Sequence, residues 1–385
     1  VAEFPIGASA TLAELTADPH PLLARLRAAE PVSWLPVLGG WLVTEHALAQ
    51  QVMRDATVFT VDDPRFSTAR VVGPSMLSLD GAAHARHRDP FVPPFRPAAV
   101  RDRFAGFVAA ETDRLITMLT PAGRAELRGD FVGPLAVAVV AEALGLTGVD
   151  AATVRSWYAV IVESVSEVTA GRPATEDGAA AFRDLGESVA RTIADRTTDS
   201  LLADVVHEYG LDTGEAVSNA AVLMFGGIDT TEAMIVNLVL HLLSRPRLLA
   251  EIGADPGLLS AAVEESVRLE PAAAVVDRYA TRDVSLGGAD IAAGDLVTVS
   301  IAGANRDPAV FPDPDTFDVR RHNVRAHLAF ALGPHFCLGA RLARAEAEIA
   351  VAALLDRLPS LRLASDVEPS GLVFRKPTEL PVRWD

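Results

Sequence analysis

Across 385 residues the chain has a single cysteine, Cys337, which rules out an internal disulfide and suits a reducing, cytoplasmic setting. Positive charge is short: 34 Lys and Arg stand against 51 Asp and Glu, a net charge of -17. That balance argues against nucleic acid or an anionic membrane as the main partner. The opening VAEFPIGASATLAEL has neither the basic segment nor the apolar core of a signal peptide. Without Met it reads as the trimmed start of a soluble protein. Internal repeats and low-complexity linkers are missing too, so one domain over residues 1–385 is the expectation.

What is present is a large stock of apolar residues, 50% of the chain, enough for a substantial core. The stretch from Ala220 to Leu243 is apolar enough to raise the question of a membrane, but it carries Asp229, Glu232, Asn237 and His241. A central acid costs roughly 2.5–3.5 kcal/mol on insertion scales, so a buried helix is the better reading. Helical periodicity runs almost throughout from Ala98 to Leu243, with a break at 169–178 that suits a lid. Upstream, HPLLARLRAAEP and EHALAQQVM read as helices around a hairpin, VSWLPVLGGWLVT, turning at Gly39-Gly40. Residues 58–80 have no clean period and read as a binding loop. Strands follow in DRYATRDVSLGGADI and DLVTVSIAGA, then a helix over 339–357 and a terminal hairpin around GLVFRKPTELPVRWD. The class is mainly α with a minor β region (α+β).

Cys337 alone reads as a buried structural thiol. Zinc binding with His335 would give two of four ligands, and a nucleophile would need a base and an orienting group that the sequence does not identify. Its neighbours point elsewhere. The start of a helix favours a thiolate, and Gly333 and Gly339 clear side chains for a flat ligand. A thiolate facing a planar cofactor is an axial haem ligand.

The run FALGPHFCLGARLARAE resembles the cysteine loop of the cytochrome P450 family, soluble bacterial type, whose pattern is Phe-Gly-x-Gly-x-His-x-Cys-x-Gly. Phe330, Gly333, His335, Cys337 and Gly339 match; Ala331 replaces a glycine and is expected to strain a tight turn. The resemblance implies the P450 fold, a long central helix over haem b with the cysteine loop beneath. It makes Cys337 the iron ligand and puts Phe330, Gly339 and Gly226 beside the cofactor. His84, Arg88, Arg278 and His335 would hold the propionates, and Asp89-Pro90 would kink or end the helix carrying His84 and Arg88. Glu265 and Arg268, three apart on one helix face, would form a structural trio with Arg321, with Arg320 the less favoured substitute.

In FGGIDTTE, Gly226 and Gly227 each cost about 1 kcal/mol against alanine within a helix, and Thr230 is placed to bond back to the Gly226 carbonyl. The resemblance implies a helix opening for O2, with Asp229 relaying protons through water and Thr230 holding the reduced dioxygen; Thr231 is one helical step away. It implies a monooxygenase that hydroxylates or epoxidises a hydrophobic small molecule. Pocket walls would come from Met76, Leu77, Val222, Phe225, Gly226, Ala273 to Val276 (Ala274 and Val275 among them) and Val373. One cysteine holds no cluster, so electrons come from outside. A ferredoxin would be steered to Arg320, Arg321, Arg325, Arg341 and Arg344, in a stretch free of acids. A monomer with no nucleic acid or membrane partner is expected. Aromatic coupling, peroxide-driven oxidation and a non-enzymatic haem sensor are the alternatives; Asp229-Thr230 argues against a dedicated peroxygenase.

Overall fold

Side chains that favour helix, Ala, Leu, Glu and Arg, fill most of the chain between the turns, and about 58% of it is helical. The computed structural model describes residues 4–146, 148–195 and 200–385. In chain order the helices that matter here are α1 (His20–Ala29), α2 (His46–Arg54), α3 (Gly81–Arg88), α4 (Ala105–Leu119) and α5 (Gly133–Leu144). They continue with α6 (Ala151–Thr169), α7 (Glu176–Ala194), α8 (Thr213–Gly227), α9 (Asp229–Leu243), α10 (Leu258–Leu269) and α11 (Ala340–Arg357). Asp150 and Thr175 cap α6 and α7 by accepting the N–H of Thr153 and Gly178. Asp212 and Glu215 form a reciprocal capping box on α8.

Every residue of α9 from Thr231 to Leu242 is buried, as a helix apolar on all sides must be. It packs against α5, α10 and α11. Together α8 and α9, Thr213–Leu243, form the one segment among the described residues long and apolar enough to cross a membrane, and 67% of its most apolar window is buried inside the fold.

The strands are β1 (Val32–Leu35), β2 (Gly40–Val43), β3 (Phe59–Thr60), β4 (Arg124–Glu126), β5 (Val275–Ala280), β6 (Val284–Leu286), β7 (Ala289–Ile291), β8 (Leu296–Ser300), β9 (Arg362–Leu363) and β10 (Pro381–Arg383). The main sheet has the order β1-β2-β8-β5-β3, with β2 and β8 parallel and the other pairs antiparallel. Its apolar face forms a second core beside the helical one.

Several local expectations shift by a few residues. The first hairpin turns over Pro36–Gly39, because Gly40 already pairs with Leu35. Residues 58–80 contain β3 and a helix, Ser67–Val72. The strand in DLVTVSIAGA stops at Ser300, whose hydroxyl accepts the Gly303 N–H and opens a helical turn, Ile301–Ala304. At the C-terminus only the tip folds on itself, where Ser370 bridges Lys376; β10 instead pairs with β4 and β9. Pro377 has no N–H with which to continue the hairpin ladder.

Candidate active site

The segment before Cys337 is a chain of tight turns. Ala331 donates its N–H to the Leu328 carbonyl at 2.8 Å and takes a left-handed φ of 55°. The Cys337 N–H returns to the Phe330 carbonyl at 2.8 Å, closing the loop. Gly333, with φ 73°, does not clear space for a ligand: a Cβ there would lie 2.6 Å from the Met53 carbonyl oxygen and 3.0 Å from the Arg54 Cα, at the end of α2. Its bareness seats the loop on α2, which corrects the sequence reading. Gly339 has open space where a side chain would stand.

Cys337 precedes α11 by three residues. Burial pushes its thiol pKa up, while the N–H groups of Gly339 and Ala340 and the charges of Arg88 and Arg344 favour the thiolate. Ligation to a metal cation tips that balance, since a coordinating thiol is deprotonated outright. Beside the loop, Arg344 lies over the Phe330 ring, 4.1 Å from its centroid, and bonds Glu264 at 2.5 Å. His327 reaches the same carboxylate at 2.9 Å. Burial opposes ionisation of Glu264, but these two partners prevail and hold its pKa down to about 2.

Of the four expected propionate partners, His84, Arg88 and His335 lie together at the cysteine loop, and Arg278 is near enough to Asp80 to feel its charge. The His84 and His335 rings are 4.4 Å apart, and Arg88 on α3 donates to the Phe336 carbonyl at 2.5 Å. Arg278 is buried and donates to the Asp277 carbonyl at 2.7 Å. The buried His84 Nε2 has no partner, and burial, then His335 and Arg88, pull its pKa down to about 4. A group of donors around a buried, orphaned nitrogen fits an anionic group, which would supply the missing bond. The carboxylates at a haem edge meet that requirement. Asp80, unforeseen in the sequence, accepts from His335 at 2.8 Å, from Thr60 Oγ1 at 2.7 Å and from the Val61 N–H at 2.9 Å. The helix α3 ends at Arg88, and a 3-10 turn, Asp89–Phe91, takes over at the proline.

Arg268 pairs with Glu265 through two bonds, 2.7 and 2.8 Å, and Arg321 Nε reaches Glu265 at 3.2 Å. Both Glu265 and Arg268 are 0% exposed, so this is no surface pair. Arg320 bonds the exposed Glu251 instead.

Between α8 and α9 the helix breaks at Ile228 (φ -89°, ψ -73°). Thr230 donates to the Gly226 carbonyl at 2.5 Å, and a Cβ on Gly226 would meet nothing within 4 Å. Gly227 is a packing glycine, since a Cβ would come 2.4 Å from Val140 Cγ2 on α5. Asp229 accepts from Tyr158 OH at 2.5 Å and from Lys376 Nζ at 2.8 Å.

A family model for cytochrome P450 matches residues 257–369. The monooxygenase PikC of Streptomyces venezuelae is 36% identical over 96% of this chain and 92% of its own. The chain belongs to the cytochrome P450 family. The 20-oxo-5-O-mycaminosyltylactone 23-monooxygenase of Streptomyces fradiae is 33% identical over 95% of this P450 and 90% of its own length. Among solved structures, CYP109B1 from Bacillus subtilis superposes with a TM-score of 0.85 at 28% identity, covering 96% of this chain and all of the other. The P450 fold and class expected from the cysteine loop are therefore borne out, and the protein is a monooxygenase that binds haem b through a cysteine thiolate.

Within this P450 the expected pocket residues scatter. Met76 and Val222 are buried in the helical core and Ala274 in a smaller N-terminal core with Leu22, Leu26 and Leu42. Leu77 and Val373 are exposed, and Phe225 and Val275 are half-buried, with Phe225 edge-on to Tyr158 at 5.8 Å. The basic patch also shrinks, because Arg320, Arg321 and Arg344 are spent on Glu251, Glu265 and Glu264. Arg325 and Arg341 remain exposed. Sequence reasoning missed Lys376, which also bonds Glu232 at 2.6 Å, and Arg128, which bonds Glu232 at 2.5 Å. One signal was available: Lys376 is the only lysine in the chain.

Proposed function

We propose that this P450 is a cytoplasmic, monomeric enzyme, one haem domain over residues 1–385, that hydroxylates or epoxidises a hydrophobic secondary metabolite with electrons from a ferredoxin. The substrate class is carried by the names of its relatives, one of which is a 20-oxo-5-O-mycaminosyltylactone 23-monooxygenase. Haem, when bound, supplies the activation of O2. Cys337, the chain's one thiol, would bind its iron, with the Gly339 and Ala340 N–H groups favouring the thiolate. His84, Arg88, Arg278 and His335 would hold its propionates, and the orphaned His84 Nε2 is the observation that carries this assignment. Phe330 and Gly339 would lie beside the cofactor near the cysteine, and Gly226 would leave room for it. Glu265, Arg268 and Arg321 fix the segment leading to the loop.

Thr230 has a hydroxyl whose proton now goes to the Gly226 carbonyl. Turning from that bond, it can hold and orient a proton at the opening beside Gly226, with Asp229 the adjacent carboxylate able to pass one on. Leu77, Phe225, Val275 and Val373 are the expected pocket residues with surface left to meet a substrate. Arg325 and Arg341 offer the cationic groups for an acidic ferredoxin. The test is the reduced carbon monoxide spectrum of the holoprotein and of Cys337→His. A thiolate-type band in the first, replaced by a histidine-type band in the second, supports the assignment; identical bands refute it. A screen of macrolide and terpenoid compounds for a spin-state change then tests the substrate class.

A further inference from the structure

The chain has one lysine, and the fold places it inside rather than on the surface. Lys376 Nζ lies 2.8 Å from Asp229 Oδ1 and 2.6 Å from Glu232 Oε1, and its side chain is 11% exposed. The two acids are three residues apart on the first turn of α9, so they share one face, and a compact ammonium with three donors fits between them. The backbone holds the lysine there. Residues 370 and 376 exchange two backbone bonds, and the preceding Arg375, 2% exposed, is fastened to Glu270 and to the carbonyls of Thr16, Ala17, Pro369 and Gly371. The ammonium is thus delivered to the α8–α9 break by a rigid support from a distant part of the chain.

The other groups facing this pair are Tyr158 from α6, whose hydroxyl donates to Asp229, and Arg128, which donates to Glu232 and to the Thr378 carbonyl at 2.5 Å. Two cations and two carboxylates balance. Without Lys376, Asp229 would keep only a neutral phenol, and a half-buried carboxylate with no cation beside it is costly.

We propose that Lys376 is a positioning residue for the oxygen reaction: it fixes the orientation and the charge of Asp229 at the α8–α9 break. The inference rests on the reading of Asp229 as a proton-handling group. Any group that replaces the ammonium without its charge would leave Asp229 free to turn and to take up a proton, so that protons arrive at the wrong place or time and electrons are lost as hydrogen peroxide.

The test uses the holoenzyme with a turned-over substrate and compares Lys376→Met, Lys376→Arg, Asp229→Asn and the Met/Asn double variant. Lys376→Met is expected to lower product formed per NADH at least fivefold, to raise peroxide to match, and to change the pH profile of that ratio. Lys376→Arg should recover most of the parent ratio. The double variant should be no worse than Asp229→Asn alone. In thermal unfolding, the losses from Lys376→Met and Asp229→Asn should be far from additive. An unchanged ratio in Lys376→Met, or additive unfolding losses, overturns the inference while leaving Asp229 its role. An unchanged ratio in Asp229→Asn overturns the reading of Asp229 itself. If Lys376→Met does not fold, Lys376→Gln takes its place with the same expected losses.

Discussion

Glu265 and Arg268 meet through two parallel hydrogen bonds, 2.7 and 2.8 Å, with neither side chain reaching solvent. The remaining Arg268 donors are taken by the carbonyls of Asn305, Pro314 and Thr316, so one guanidinium ties α10 to the segment that leads toward the cysteine loop. Removing one partner leaves the other charge buried and alone. Arg268→Ala is therefore expected to destabilise the fold by about 3–5 kcal/mol. Denaturant unfolding measures it, and a loss below 1 kcal/mol would contradict the account.

Ala331 sits at φ 55°, where a Cβ crowds the following carbonyl. The conformation costs an L-residue about 1–2 kcal/mol, part of which glycine returns through its freer unfolded chain. Ala331→Gly should raise stability by about 1 kcal/mol without changing the reduced carbon monoxide band. A fall in melting temperature would show that the methyl contributes packing that outweighs the strain.

Glu346, on α11, is buried, its Oε2 has no partner, and burial raises its pKa well above the usual 4.5. The folded protein then keeps a proton that the unfolded chain gives up, so stability falls as pH rises above about 4.5. Glu346→Gln removes that dependence. The variant should exceed the parent in stability at pH 8, with the gap closing toward pH 4.5; parallel curves across that range would argue against it.

Asp80 titrates in the opposite sense. Burial alone would raise its pKa, but the bonds from His335, Thr60 and Val61 bring it from 3.8 to about 2. Its contribution is present above about pH 4 and is lost as the pH falls toward 2. Asp80→Asn should cost about 2 kcal/mol at pH 7 and nothing near pH 2. The same variant frees His335, so haem retention during dilution reports whether that ring needs its carboxylate.

What could be read from the sequence was local. The back-bond of Thr230 to Gly226 follows from spacing within one helical turn, where covalent geometry limits the outcomes, whereas the cysteine loop and the choice of Arg321 over Arg320 came from the resemblance to the family. Contacts across the chain that the resemblance does not carry were not legible. Lys376 and Asp229 are 147 positions apart, and Asp80 and His335 are 255. Gly333 was credited to the cofactor because its neighbours in sequence suggested it, whereas the pressure comes from Met53. The pocket was hard to read for a related reason: small apolar residues suit a packed core as well as a binding wall, and Met76, Val222 and Ala274 are buried.

A chain whose one lysine is turned inward carries its outer positive charge on guanidinium groups. Reagents that acylate amines would find one sheltered ε-amine besides the α-amine, so attachment through lysine chemistry offers no dependable handle on this enzyme. An electron donor docking at Arg325 and Arg341, as proposed, would meet planar forks rather than mobile point charges, and paired carboxylate oxygens would suit them better than isolated ones.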